Sequence, residues 1–177
     1  MSNVKNPNLT WVLDTEGIIS KSVICLRRAV FRVNNNGDQA HFYTWDENGT
    51  PVLTGDGITG TITNTDTLVS TAGFETDDIS PGDVIKITGG TGSALNWNTF
   101  LIDTNADDNT IVVHNDPLMT NEATKLYNYE AWTPVLAFEF MQGETVLEYD
   151  FGEKGRWFPN LAMDTLSGGS VVHLFIR

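Results

Sequence analysis

The sequence predicts an all-β protein, and three observations carry this prediction: alternating apolar residues, closely spaced turn dipeptides and the lack of an amphipathic helical pattern. Leu147, Tyr149 and Phe151 alternate with acidic residues, as in a strand with one face in a core. Glycine follows Asn or Asp at 36–37 and 56–57, and such pairs supply the positive φ values of tight hairpins. No stretch places apolar residues at helical spacing between capping residues. We therefore expect a β-sandwich, jelly-roll-like, with at most short helical turns.

Two segments predict strands at particular positions of that sandwich. Residues 21–33 are long for one strand, and the adjacent Arg27 and Arg28 interrupt the alternation as a β-bulge or a bend does. Residues 171–176 are apolar at both parities, which is typical of a central strand with both faces covered. The C-terminal segment is therefore expected to be structural.

A smaller acidic unit interrupts the aromatic-rich one. Only three of the 18 aromatic residues lie in residues 56–126, which carry eleven Asp and Glu against two Lys, a net charge of −9. The flanks carry the remaining −4 of the chain's −13. We therefore predict two domains: a discontinuous β-sandwich assembly domain of residues 1–55 plus 127–177, and an inserted acidic small β-barrel domain of residues 56–126.

The overall charge and composition exclude several classes of partner. A net charge of −13 argues against nucleic-acid binding, because proteins that bind phosphate backbones need clustered Lys and Arg. The single cysteine, Cys25, lies in an apolar run and is expected to be a buried thiol in a reducing compartment. No apolar run approaches the roughly 20 residues that cross a bilayer, and residues 1–9 lack the pattern of a secretory signal. We expect a soluble protein synthesised in a cytoplasm, with no membrane partner.

Motifs that suggest a ligand site lack their structural context. Residues 55–60 match G-x-G-x-x-G, but no helix that could hold a pyrophosphate follows them. Residues 103–107 have the first spacings of a calcium loop, yet Asp108 replaces the required glycine and His114 replaces the final glutamate. A looser calcium site in this acidic hairpin is the alternative. The prediction is that the chain holds no cofactor and no metal.

No set of side chains predicts catalysis. Glu148 and Asp150 lie on one face of a predicted strand, roughly 7 Å apart, a separation that glycosidases use but that two outward acids on any strand also show. His41, His114 and His173 fall in separate predicted strands, with no partner at ligand spacing. The chain is therefore predicted not to be an enzyme.

Clustered aromatic and cationic residues predict a protein interface. Arg156, Trp157 and Phe158 lie together in the loop-like segment GRWFPNL, and Arg and Trp are enriched at interface hot spots. Trp45 and Trp132 are further candidates for this interface. Their alternative is a platform for stacking on sugars, since aromatic rings pack against the apolar faces of pyranoses. Packing in an interface or a core is favoured over sugar binding.

Part of the chain resembles a known structural module. An aromatic residue, Phe74, precedes a turn and the strand GDVIKI at 82–87, after which come a Gly- and Asn-containing loop, an F-x-I strand from Phe100, a turn and TIVV at 110–113. Over residues 58–124 this order resembles a small β-barrel module of tailed-bacteriophage structural proteins. The flanking segments, TWVLDTEGIIS and YDFGEKGRWFPNLAMDTLSGGSVVHLFIR, are similar to small virion proteins of the same phages.

The resemblance implies a role in the virion. It implies a non-enzymatic structural protein, most of all a capsid decoration (cement) protein whose β-sandwich binds the outer capsid surface. The implied partners are the major capsid protein and further copies of the chain itself, as a homotrimer. Two alternatives remain open: a tail or head-to-tail component, and a carbohydrate-binding module for host attachment.

Overall fold

Antiparallel strands form nearly all of the regular structure of the protein. The computed structural model describes residues 4–5, 10–35, 37–70, 79–107, 109–114, 118–140 and 146–177. Within these ranges, the only helix is a three-residue 3-10 helix at Ala94–Asn96, and sixteen strands supply the remaining regular elements. The predicted all-β class is therefore confirmed. Phe74 and Asp108, which figured in the sequence predictions, lie outside the described residues.

The chain divides into two compact units. A sandwich unit comprises Met1–Thr44 and Val135–Arg177, and a barrel unit comprises Trp45–Pro134. The strands of the sandwich unit are β1 (Val4–Lys5), β2 (Thr10–Leu13), β3 (Gly17–Ser20), β4 (Ile24–Arg32), β5 (Ala40–Thr44), β12 (Val135–Phe140), β13 (Val146–Asp150), β14 (Arg156–Phe158), β15 (Leu161–Leu166) and β16 (Val171–Ile176). Those of the barrel unit are β6 (Leu53–Thr63), β7 (Thr67–Ser70), β8 (Val84–Gly90), β9 (Thr99–Asp107), β10 (Thr110–Val113) and β11 (Glu122–Trp132).

The sandwich unit has the strand order of a jelly roll. One sheet runs β1-β2-β16-β4-β13, with β14 also paired to β4, and the other runs β12-β5-β15-β3. Without the short β1, the orders β2-β16-β4-β13 and β3-β15-β5-β12 are those of two interlocked Greek keys. The predicted jelly-roll-like sandwich is therefore confirmed, with the barrel unit inserted between β5 and β12.

Phenylalanine side chains fill much of the sandwich core. The rings of Phe42 and Phe138 stack with centroids 4.4 Å apart, and those of Phe31 and Phe140 stack at 5.4 Å. All four side chains are buried. Burying each contributes about 1.5–3 kcal/mol to the free energy of unfolding, so these rings hold the two sheets together.

The predicted bulge and the predicted central position of the last strand are confirmed. In β4, Arg28 pairs with Phe175 and Leu26 pairs with Ile176, so Arg27 between them has no partner in the register and forms a bulge. The last strand, β16, lies between β2 and β4 in the middle of its sheet. Only Val172 and Leu174 of β16 are buried, and its other residues are partly exposed, so the expectation that both faces are covered is not met.

The barrel unit is a closed six-stranded barrel in the order β10-β7-β6-β11-β8-β9. Its core includes Ile62, Ile85, Phe100 and Tyr127, each at most 1 % exposed. The predicted small inserted β-barrel is therefore present. Gly90 ends β8 at a φ of +120°, where a Cβ atom would run into the carbonyl oxygen of Leu126. This close approach of two backbones explains why a glycine stands there.

The inserted unit extends beyond the predicted residues 56–126 at both ends. Strands β6 and β11 remain paired down to Leu53 and Ala131, and the amide of Val52 donates to the carbonyl of Ala131 at 2.8 Å. Because the hydrogen-bonded ladder of β6 and β11 continues past the change in composition, the boundaries predicted from composition make the inserted unit too short. With the boundaries of the structure, the barrel unit carries fourteen acidic and two basic residues, a net charge of −12, and the sandwich unit a net charge of −1.

Candidate functional site

The five predicted interface residues separate into exposed and buried positions. Arg156 and Trp157 are exposed, and Trp157 retains 64 % of its accessible surface. Phe158, Trp45 and Trp132 retain only 3 to 4 %. Burial removes these three from the surface of the single chain. Only Arg156 and Trp157 are placed to meet a partner, and their role there stays a prediction.

The alternating pattern of β14 explains this division. Phe158 points into the sandwich core, where its ring lies 5.7 Å from that of Phe138 and 5.8 Å from that of Phe151. Neighbouring residues on a strand point to opposite faces, so Trp157 points outward. The Arg156 guanidinium lies over the ring of Phe158, 5.1 Å from its centroid, within the range of cation–π attraction.

A tight turn before β14 fixes the position of Trp157. The carboxylate of Asp150 accepts a hydrogen bond from the Gly152 amide at 2.7 Å, and the Gly155 amide donates to the Gly152 carbonyl at 3.0 Å. Gly155 has a φ of +70°, and a Cβ atom there would lie 2.7 Å from the Cys25 Sγ and 2.8 Å from the Leu26 carbonyl oxygen. The turn therefore lies directly on β4, with no room for a side chain between them.

Cys25 of β4 is one of the residues on which this turn packs. It is buried, and its Sγ lies 3.6 Å from the Lys154 carbonyl oxygen, to which it donates a weak hydrogen bond. The predicted buried thiol is confirmed. Its position under the turn also explains the apolar run in which it occurs.

Four of the chain's ten cationic residues belong to the segments that meet where β14 pairs with the start of β4. The Arg177 amide donates to the Cys25 carbonyl at 3.0 Å, and its guanidinium donates to the Lys154 carbonyl at 3.2 Å. At the bulge, the Arg27 carbonyl accepts a hydrogen bond from the Phe151 amide. Arg27, Lys154, Arg156, Trp157 and Arg177 are all exposed, and we call them the cationic–aromatic patch.

The patch is suited to binding an acidic protein surface. Two acidic residues lie in the same segment, Asp150, which is engaged by the turn, and Glu153, so the cations outnumber the acids. Burying the exposed part of one indole would remove roughly 130 Å² of mostly apolar surface, about 3 kcal/mol before the costs of association. Arg and Trp together are typical of interface hot spots.

Three members of this patch were not predicted as a group. Arg27 has no partner in the register at the bulge, whereas its neighbour Arg28 pairs with Phe175 of β16. Arg28 lies over the Phe175 ring at 4.2 Å and pairs with Glu148 at 3.5 Å. Lys154 and Arg177 join Arg27 only because β14 and the last residue both return to the start of β4. The predicted bulge was the single local signal of this arrangement.

A second exposed surface of the sandwich unit is its open edge, formed by β12 and β13. These strands end their respective sheets, and the Tyr149 ring lies 5.7 Å from that of Phe138. Exposed apolar side chains line this edge: Val135, Leu136, Val146 and Tyr149. Edge strands with exposed apolar residues favour association with another chain.

The candidate ligand motifs lie in strands. Residues 55–60 belong to β6, which leads into β7 and not into a helix. Asp107 accepts a hydrogen bond from the Asn109 amide at 2.9 Å, and Asp103 lies 3.9 Å from the His114 imidazole. Within the described ranges, no three His, Cys, Asp or Glu residues are grouped as metal ligands are.

Of the three histidines predicted to lie in separate strands, His41 and His173 do so, whereas His114 follows the end of β10. His41 is in β5, 3.9 Å from the Glu139 carboxylate, and His173 is in β16. Burial, and then the charge of Arg32, lower the pKa of His173.

Across the part of the chain that the structure describes, no helix has the length and apolarity to span a membrane.

Comparisons with protein families, curated proteins and solved structures find no match to this chain. The fold and the surface therefore define its class: a jelly-roll sandwich with an inserted acidic barrel and an exposed cationic–aromatic patch.

Proposed function

We propose that the chain is a non-enzymatic structural protein of a tailed-phage virion, and that it decorates the outer capsid surface. The observation that carries this proposal is the division of properties between the units. The sandwich unit has a net charge of −1 and the exposed apolar residues of the open edge, whereas the barrel unit has a net charge of −12. The resemblance of residues 58–124 and of the flanking segments to phage virion proteins supports the same role.

In this proposal the sandwich unit is the assembly surface. The open edge buries apolar side chains against the capsid, and the cationic–aromatic patch serves contacts between copies, with a homotrimer as the expected form. Each contact can be weak, because repetition over a capsid lattice supplies avidity. The acidic barrel unit then faces solvent, where like charges oppose aggregation of particles.

A density map of the intact particle tests the proposal directly. Decoration predicts copies on the shell in the hundreds, in symmetric clusters around the capsid axes. About 6 or 12 copies at one vertex or along the tail would contradict decoration and would support the tail or head-to-tail alternative.

The open edge can be tested separately with capsids that lack the protein. Val146→Asp places a charge on an edge residue that is 53 % exposed, and it should abolish saturable binding to such capsids. Val23→Asp is the matched control, since Val23 is 63 % exposed and precedes β4, outside the open edge. Equal binding by the two variants would exclude the open edge as the capsid contact.

A carbohydrate-binding function is the second candidate, because Trp97 and Trp157 are both exposed. Exposed indole rings stack on pyranose faces. A glycan array with the full chain and with Trp97→Ala and Trp157→Ala distinguishes the two functions. Glycan binding that disappears in either variant would favour host attachment, and capsid binding without glycan binding would favour decoration.

A further inference from the structure

The barrel unit displays two large apolar side chains on a short loop. After β8, residues 91–98 carry the 3-10 helix, and Leu95 and Trp97 retain 73 % and 46 % of their accessible surface. Asn96 between them is fully buried. We call Leu95, Asn96 and Trp97 the barrel tip.

Hydrogen bonds from Asn96 hold the tip to the start of β11. Its side-chain oxygen accepts from the Thr120 amide at 2.6 Å, and its side-chain nitrogen donates to the Thr120 carbonyl and to the Glu122 carboxylate, both at 2.9 Å. The Asn96 side chain thus bridges two segments of the unit. A buried amide with all these partners fixes the backbone on either side of it.

The Glu122 carboxylate is the centre of the same network. It also accepts hydrogen bonds from the Ser93 amide at 2.6 Å and from the Tyr127 hydroxyl at 2.9 Å. Ser93 in turn caps the 3-10 helix by accepting from the Leu95 amide. The loop is therefore preorganised, and a partner that binds Leu95 and Trp97 does not have to order it.

The net charge of the barrel unit favours a cationic partner for its tip. The barrel unit carries fourteen acidic residues and two lysines, one of which, Lys86, is paired with Glu47. A partner for the tip should therefore combine cations with apolar surface. The cationic–aromatic patch has this composition, with four exposed cationic residues and one exposed tryptophan.

We propose that the barrel tip of one copy docks on the cationic–aromatic patch of a second copy. The inference deepens the proposed function, since it rests on the patch being a contact between copies. The contact is heterologous, because the two surfaces differ. Such contacts close into rings or continue as chains, and a ring of three copies would give the expected homotrimer.

Sedimentation of the purified full-length chain tests this contact without any capsid. The wild type should self-associate, and association should weaken as salt is raised, because it pairs opposite charges. Trp97→Ala and Trp157→Ala should each weaken association by about tenfold or more, as for a central interface aromatic. Val52→Ala is the matched control, since Val52 is 41 % exposed and belongs to neither the tip, the patch nor the open edge, and it should leave association unchanged.

A mixing experiment distinguishes this contact from a symmetric one. The Trp97→Ala variant retains an intact patch, and the Trp157→Ala variant retains an intact tip. Mixed together, they should form one-to-one heterodimers and nothing larger, since only one tip–patch pair is left. In a symmetric contact the mixture would associate no better than either variant alone.

Three results would overturn the proposal. The first is a wild-type chain that stays monomeric up to about 1 mM. The second is a mixture of the two variants without heterodimers. The third is a Trp157→Ala variant that self-associates normally but no longer binds capsids, which would assign the patch to the shell and leave the decoration proposal standing. Unchanged thermal unfolding of both variants confirms that they are folded.

Discussion

Gly155 is the residue whose replacement tests most sharply how the cationic–aromatic patch is built. In Gly155→Ala the new methyl group meets the Cys25 sulfur at 2.7 Å and the Leu26 carbonyl oxygen at 2.8 Å. A left-handed backbone at φ +70° costs alanine about 1–2 kcal/mol, and overpacking against β4 costs about 1–3 kcal/mol more. The sandwich unit should therefore lose about 2–5 kcal/mol of unfolding free energy.

Gly152→Ala is the matched control for this substitution. Gly152 has a φ of +77°, but a Cβ atom there would have no other atom within 4 Å. Its replacement should cost only the backbone term of about 1–2 kcal/mol. The difference between the two variants thus measures the contact between the turn and β4.

Hydrogen exchange of the β4 amides, followed as urea is raised, measures the unfolding free energy of the sandwich unit independently of the barrel unit. If Gly155→Ala costs no more than Gly152→Ala, the close packing of the turn on β4 is refuted. Adding Cys25→Ala to Gly155→Ala should recover part of the loss, about 0.5 kcal/mol or more of coupling, because the sulfur is removed. An additive double variant would show that the sulfur is not the obstacle.

Three further predictions concern the barrel network, the sandwich surface and the end of β8. Burial acts to raise the pKa of Glu122, but hydrogen bonds from Asn96, Ser93 and Tyr127 outweigh it and hold the pKa below its ordinary value. The unfolding free energy of the barrel unit should therefore be full above pH about 4.5 and fall as the pH drops below it. Glu122→Gln should lower this free energy by about 1–3 kcal/mol and remove its pH dependence, as measured by urea titrations. The lowered pKa of His173 means that stability should be full above pH about 6.5 and fall at lower pH, and His173→Asn should flatten that part of the pH profile. Gly90→Ala should cost about 3 kcal/mol or more and lower the unfolding temperature of the barrel unit, while an unchanged temperature would contradict the backbone approach at Leu126.

The sequence by itself determined the strands and their local features. Alternation and turn dipeptides depend on neighbouring residues, so they indicated the all-β class, the bulge at Arg27 and the central position of β16. The composition change likewise revealed the inserted unit. It missed the boundaries at Trp45 and Pro134, because the β6–β11 ladder continues into segments whose composition resembles the flanks.

Only the tertiary structure decided which side chains reach the surface and which of them meet. Trp45, Trp132 and Trp157 are the same residue type, yet two are buried and one is exposed. Arg27, Lys154 and Arg177 come together because β14 and the chain's last residue both return to the start of β4, across more than a hundred residues in the case of Lys154. The local sequence pattern indicates whether a residue suits a strand. The burial of its side chain and the contacts that it makes depend on long-range strand pairing. The surface on which the proposed function rests could therefore be identified only from the tertiary structure of the jelly roll.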